Sequence, residues 1–198
     1  MKLLNELLTL SEADQRYTLV GRTINGKLIT NETKDEVWNG NFDCHQPSRK
    51  LTSLKGAPKE VHGDFYCSKN PNLESLDGAP EKVTGSFYCT DNYNLKSLKG
   101  APKEVTGAFV CSNNISIISL KDIHKQVIKL GGMFHGRNTS IKSHVLGLLL
   151  NGCTGVLLDN TEVTAILNKY LPNTRGNKAV IDCQYELSDA GFDDFAEL

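Results

Sequence analysis

Residues 53–118 read SLKGAPKEVHGDFYCSKNPNLE (53–74), SLDGAPEKVTGSFYCTDNYNLK (75–96) and SLKGAPKEVTGAFVCSNNISII (97–118), one 22-residue unit written three times. A short fixed period is the signature of a solenoid: one unit cannot bury its apolar face alone, so it stacks on its neighbours. A chain of this kind is built to present a surface.

Inside each copy a period-2 stretch follows the proline: Val61, Gly63, Phe65, Cys67, then Val83, Gly85, Phe87, Cys89, then Val105, Gly107, Phe109, Cys111. Such alternation predicts a short strand with one buried face. The intervening residues, among them His62, Asp64, Tyr66, Thr84, Ser86 and Tyr88, then face outward. Asn70, Asn92 and Asn114 recur three residues after each cysteine. A buried Asn at such a corner can satisfy backbone groups of adjacent rungs that the turn would orphan. Leu73, Leu95 and Ile117, with Leu76, Leu98 and Leu120, supply the return side of the core, and Gly-Ala-Pro supplies the bend before the next strand. Repeat length, strand, Asn corner and variable return fit a leucine-rich repeat with Phe and Cys in the usual leucine positions.

The array extends beyond the three copies. Trp38–Cys44 (WNGNFDC) matches Val61–Cys67 and gives a degenerate upstream rung. Downstream, Val127 aligns with Val105, and a fifth rung through Gly132–Phe134 and Thr139–Ile141 follows a three-residue insertion. The expected fold class is therefore an α/β repeat: a leucine-rich-repeat-like solenoid with one parallel sheet of about five short strands. Residues 1–36 are expected to form a short helix (Leu3, Leu4, Leu7, Leu8) and a hairpin around Asn25-Gly26, 37–142 the solenoid, and 143–198 a helical cap. Helices are expected over Val145–Leu150, Thr161–Tyr170 and Asp182–Ala190, with a strand at Val156–Leu158.

Composition narrows the function classes. The 198 residues carry a formal net charge of -1, and within the three copies seven lysines balance seven acids, so no field favours nucleic acid or an anionic membrane. The last 18 residues hold six acids and neither Lys nor Arg, a solvated helix face or a docking tail. No apolar run approaches the roughly 20 residues needed to span a bilayer. The N-terminus lacks the compact apolar stretch and small-residue cleavage site of a secretory signal, so a cytosolic or intravirion compartment with reduced thiols is expected.

Cys44, Cys67, Cys89 and Cys111 fall on one line, rung above rung. Zinc ligands instead converge on a point from paired knuckles, so these read as buried core thiols. The five histidines (His45, His62, His124, His135, His144) accompany no catalytic motif. No cofactor, metal or catalytic residue is expected. An enzyme with a site between the last rungs and the cap would draw on His135, His144 or Asp159. The candidate partner-binding surface is His62, Asp64, Tyr66, Ser68, Thr84, Ser86, Tyr88 and Thr90, in which rigid tyrosines sit among adaptable polar groups. The plain alternative is that the paired tyrosines merely shield the sheet.

The units resemble a leucine-rich-repeat-like family found mostly in bacteriophage genomes, whose members string together blocks similar to SLxGAPxxVxGxFYCxxN. Leu171-Pro172 and residues 180–191 (VIDCQYELSDAG) are similar to its common ending. The resemblance covers residues 38–198 and implies a phage origin and the repeat fold, with no site residues. Met1–Ala13 (MKLLNELLTLSEA) resembles capsid-targeting peptides of T-even-like phages, which are cut after a Leu/Ile-x-Glu triplet such as Leu10-Ser11-Glu12. The combined expectation is a non-catalytic module that docks a host or phage protein, possible targets including a host defence factor. The alternative is an internal virion component.

Overall fold

The computed structural model describes residues 18–45, 51–121, 123–171 and 177–198. The proposed N-terminal helix and targeting triplet lie outside them. The described chain opens with a two-stranded antiparallel hairpin, β1 (Thr23–Ile24) and β2 (Lys27–Leu28). Its turn is Asn25-Gly26, both at positive φ (50° and 79°), the geometry that favours Asn-Gly between paired strands.

From Val37 to Leu158 the chain winds through about five turns of a parallel-strand β-solenoid. One sheet of five strands comprises β3 (Val37–Asn39), β5 (Glu60–His62), β7 (Lys82–Val83), β9 (Glu104–Val105) and β11 (Lys129–Leu130). A second, of six, comprises β4 (Phe42–Asp43), β6 (Phe65–Tyr66), β8 (Phe87–Tyr88), β10 (Phe109–Val110), β12 (Met133–Gly136) and β13 (Gly155–Leu158).

The expected single sheet is thus two, because each period-2 stretch is broken at its glycine. A Cβ on Gly85 would lie 2.6 Å from the carbonyl carbon and oxygen of Gly63, and one on Gly107 would lie 2.8 Å from those of Gly85. Backbone rests on backbone at this corner, and a side chain would pry the turns apart. The hydrogen bonds reverse there. Thr84 and Gly85 N–H donate back to Val61 and Gly63 (2.9 Å each), whereas Phe65 and Cys67 donate forward to Ser86 (2.9 Å) and Tyr88 (2.8 Å). A two-residue corner keeps the parity of the alternation, so Val61, Phe65 and Cys67 all still point inward and are fully buried.

The core is a set of columns. Phe42, Phe65, Phe87, Phe109 and Phe134 are buried, with successive ring centroids 5.3, 5.4, 5.1 and 5.8 Å apart. Burying each ring stabilises by about 1.5–3 kcal/mol relative to leaving it in water. Beside them run the thiols of Cys44, Cys67, Cys89 and Cys111, all buried and free. Burial pushes their ionisation up, to about 12 for Cys111.

The asparagine corners form a third column. Asn92 Nδ2 donates to the carbonyls of Cys67 (3.2 Å) and Cys89 (2.9 Å), while its Oδ1 accepts the N–H of Asn70 at 2.7 Å. Asn114 repeats the pattern on Cys89, Cys111 and Asn92. The preceding residue in each copy (Lys69, Asp91, Asn113) takes φ near 60° to make the bend.

The fifth turn departs from the expected register. Leu130, not Val127, pairs with Val105. The three extra residues precede the strand, in a short helix α1 (Ile123–Gln126) that replaces the Gly-Ala-Pro bend and tucks Val127 into the core. In the return segment between β12 and β13, Val145–Leu150 is a 3₁₀ turn (Leu146–Leu149) rather than an α-helix. α2 (Thr161–Tyr170) has the expected bounds, N-capped by Asn160, whose Oδ1 accepts from Glu162 and Val163 N–H. α3 (Asn177–Asp189) starts five residues before the expected Asp182.

Candidate functional site

The eight residues expected to form one outward patch are divided by the glycine corner. His62 and Thr84 are exposed beside the five-stranded sheet, with His62 Nε2 3.5 Å from Glu60. Asp64, Tyr66, Ser68, Ser86, Tyr88 and Thr90 are half-buried along the six-stranded sheet. Strand register sets Asp43, Tyr66, Tyr88, Val110, His135 and Leu157 in one outward column.

Several of these side chains serve the backbone first. Because the ladders reverse at the corner, the N–H groups of Asp64, Ser86 and Ala108 find no carbonyl. They donate instead to Asn41 Oδ1 (2.9 Å), Asp64 Oδ1 (2.7 Å) and Ser86 Oγ (3.0 Å) of the preceding turn. Ser68 Oγ likewise accepts from Thr90 N–H (3.1 Å) and Thr90 Oγ1 (3.0 Å). Oxygen-bearing residues recur at these positions because the solenoid needs an acceptor there. Period and spacing alone did not reveal that need.

Tyr66 and Tyr88 remain as the centre of the face. Their rings stack at 4.8 Å, 2° from parallel. Tyr66 OH donates to Asp64 Oδ2 at 2.9 Å, and that bond pushes the phenol up to about 12. The face is pre-ordered, since one ring is fixed by its neighbour and by a carboxylate that the backbone itself anchors.

Sequence reading also missed a charge code. Equivalent positions alternate in sign from copy to copy: Lys55, Asp77, Lys99, then Lys59, Glu81, Lys103, then Glu60, Lys82, Glu104, Lys129. Ion pairs follow at Lys96–Glu74 (2.7 Å), Lys129–Glu104 (2.8 Å), Lys103–Glu81 (3.5 Å), Lys99–Asp77 (3.6 Å) and Lys82–Glu104 (3.8 Å). Each exposed pair is worth only about 0–1 kcal/mol. The pattern nonetheless disfavours stacking the first copy on the third, where every such position would meet its own sign. Aligning the copies by column rather than counting their total charge exposes it.

Two of the three groups nominated for an enzyme already hold structural partners. His135 stands on the six-stranded sheet. Asp159 is occupied by the N–H groups of Asn138 (3.0 Å) and Thr139 (3.1 Å). His144 Nδ1 lies 3.0 Å from Ser119 Oγ and 2.9 Å from Ser143 Oγ, with Nε2 3.0 Å from Glu197. Ser119 is also the next in a series of turn serines: its Oγ accepts Lys121 N–H as Ser53 Oγ accepts Lys55 N–H. His144 thereby fastens the chain's C-terminal residues to the last turn. Among the described residues no group of three or more His, Cys, Asp or Glu side chains could hold a metal ion. No helix among them is long and apolar enough to cross a membrane.

No family model, curated protein or solved structure matches the chain.

Proposed function

We propose that the chain is a non-catalytic, phage-encoded interaction module of leucine-rich-repeat-like character, acting in the host cytoplasm. It docks a protein partner on the outer face of the six-stranded sheet and blocks or organises that partner sterically. The observation that carries this reading is the stacked Tyr66–Tyr88 pair, locked by Asp64 on a scaffold whose turns are already fixed. A pre-ordered face loses little side-chain freedom on binding, and tyrosine combines large contact area with few rotatable bonds. A host defence factor is the kind of partner a phage would silence in this way.

Affinity capture from infected cells, wild type beside a Tyr66→Ala/Tyr88→Ala double variant, tests the reading. A partner lost with the double variant, whose direct binding is then reproduced with purified components, supports it. Equal recovery removes this face from the account. The virion reading rests on the Leu10-Ser11-Glu12 triplet. Mass spectrometry of purified particles decides it, since packaging by that route leaves a chain beginning at Ala13.

A further inference from the structure

The third copy breaks its own column rules on the return side. Where the first two copies carry Glu74 and Lys96, it carries Ile118, and where they carry Pro71 and Tyr93, it carries Ile115. These isoleucines are 63% and 60% exposed, and Tyr93 beside them 48%. Lys142 follows Ile118 on the next turn, its N–H donating to the Ile118 carbonyl at 3.0 Å. Beneath Ile118 lies a cavity of about 120 Å³, lined by Lys96, Leu98, Leu120, Lys121 and Gln126 among others. Gln126 Oε1 is buried with no hydrogen-bond partner among the described residues. Neither Lys121 nor Lys142 has an ion-pair partner among them. Exposed isoleucines, an orphaned acceptor and a lysine rim are thus gathered in one place.

The chain itself displays what such a surface holds. One turn further along, its acidic C-terminal segment lies on the solenoid. Phe192 and Phe195 pack against the core with centroids 6.1 Å apart. His144 N–H donates to the Asp194 carbonyl at 3.3 Å, and Glu197 meets His144 Nε2. Lys142 and Gly191–Phe195 line an adjoining cavity of about 310 Å³. Lys142 therefore belongs both to the covered stretch and to the open one.

We infer that the open return face around Ile115 and Ile118 docks an acidic, apolar-anchored segment of a partner protein, in the manner of the chain's own C-terminal residues one turn away. Apolar side chains of the segment cover the two isoleucines and enter the cavity, a donor from the segment satisfies Gln126 Oε1, and its carboxylates face Lys121 and Lys142, Lys96 being already paired with Glu74. Charge complementarity selects an acidic occupant over a basic one. This surface is separate from the tyrosine face and stands or falls independently of it.

The test uses the full-length chain and a fluorescently labelled peptide, DAGFDDFAEL, which copies residues 189–198. A second peptide carries Lys at every acidic position. Saturable, salt-sensitive binding of the acidic peptide alone is expected, weakened at least tenfold by Ile115→Asn/Ile118→Glu and by Lys121→Glu/Lys142→Glu, with unfolding midpoints unchanged. Absence of saturable binding, equal binding of the basic peptide, or affinity indifferent to both double variants overturns the inference. Two other occupants would also overturn it. One is a second copy, seen as a dimer that Ile118→Glu dissolves while peptide binding persists. The other is the chain's own first 17 residues, seen as tenfold tighter peptide binding once they are deleted.

Discussion

Asn168 on α2 holds both backbone groups of Val156 on β13: its Oδ1 accepts the N–H at 2.8 Å and its Nδ2 donates to the carbonyl at 2.9 Å. One helical turn earlier, Thr164 Oγ1 meets the N–H of Leu158 at 3.1 Å. Two side chains thereby stand in for the strand that would otherwise follow, and the open edge of the six-stranded sheet is closed. Unpaired edges invite pairing with other chains.

Asn168→Leu should therefore cost about 2–3 kcal/mol, since both Val156 groups lose their partners in a buried setting. Urea denaturation would measure the loss, and size-exclusion chromatography should reveal higher-order species as the edge is freed. A variant that stays monomeric and equally stable would show that α2 closes the edge by packing alone.

Asn92→Leu removes three buried hydrogen bonds and strands the N–H of Asn70. A destabilisation of about 3 kcal/mol is expected from the desolvated groups left unpaired. Hydrogen exchange should quicken at Asn70 and at the turns on either side.

At Gly85 the argument is space. An added methyl would fall 2.3 Å from Asp64 Oδ1 and 2.6 Å from the Gly63 carbonyl. Gly85→Ala should cost at least about 3 kcal/mol, at the upper end for overpacking, because backbone cannot step aside as a flexible side chain can. Thermal unfolding with and without the substitution checks it.

Tyr66 makes stability depend on alkaline pH. Its folded-state value, about 12, lies above the unfolded one of about 10, so the folded chain holds this proton more tightly. The contribution is fully present below pH 10 and is lost as pH rises through 12. Ultraviolet titration should place part of the tyrosinate signal near pH 12, shared with Tyr170, which a hydrogen bond to Glu186 also pushes up to about 12. Tyr66→Phe should remove about half of that signal, and an unchanged amplitude would show that Tyr66 does not contribute to it.

The six cysteines are free and buried. With Ellman's reagent near pH 8 the native chain should react slowly, and denaturation should release all six, because burial disfavours the thiolate. Fast reaction of three or more thiols in the native state would contradict the column of core sulfurs, since only Cys153 and Cys183 lie outside it.

Much of this was legible from the repeat. The inward set (Val61, Phe65, Cys67), the asparagine corners and the hairpin at Asn25-Gly26 follow from period and turn chemistry, and the structure places them accordingly. The split of each strand was not legible, because a two-residue corner preserves the alternation from which the strand was read. Nor was the position of the insertion in the fifth turn, where Val127 and Leu130 are equally apolar and only pairing with Val105 separates them. Of the candidate surface, sequence identified the tyrosine pair. It did not show that Asp64, Ser68 and Ser86 are spent on backbone N–H groups, since that demand arises only once turns stack.

The amino-acid order alone fixed which side chains form columns, because a 22-residue period brings each residue back over its counterpart whatever the path between them. Tertiary structure decided where that path bends, which polar groups the bends leave in need, and which apolar residues stay uncovered. Those depend on hydrogen-bond direction and close approach between turns, and a linear pattern of residue types carries neither.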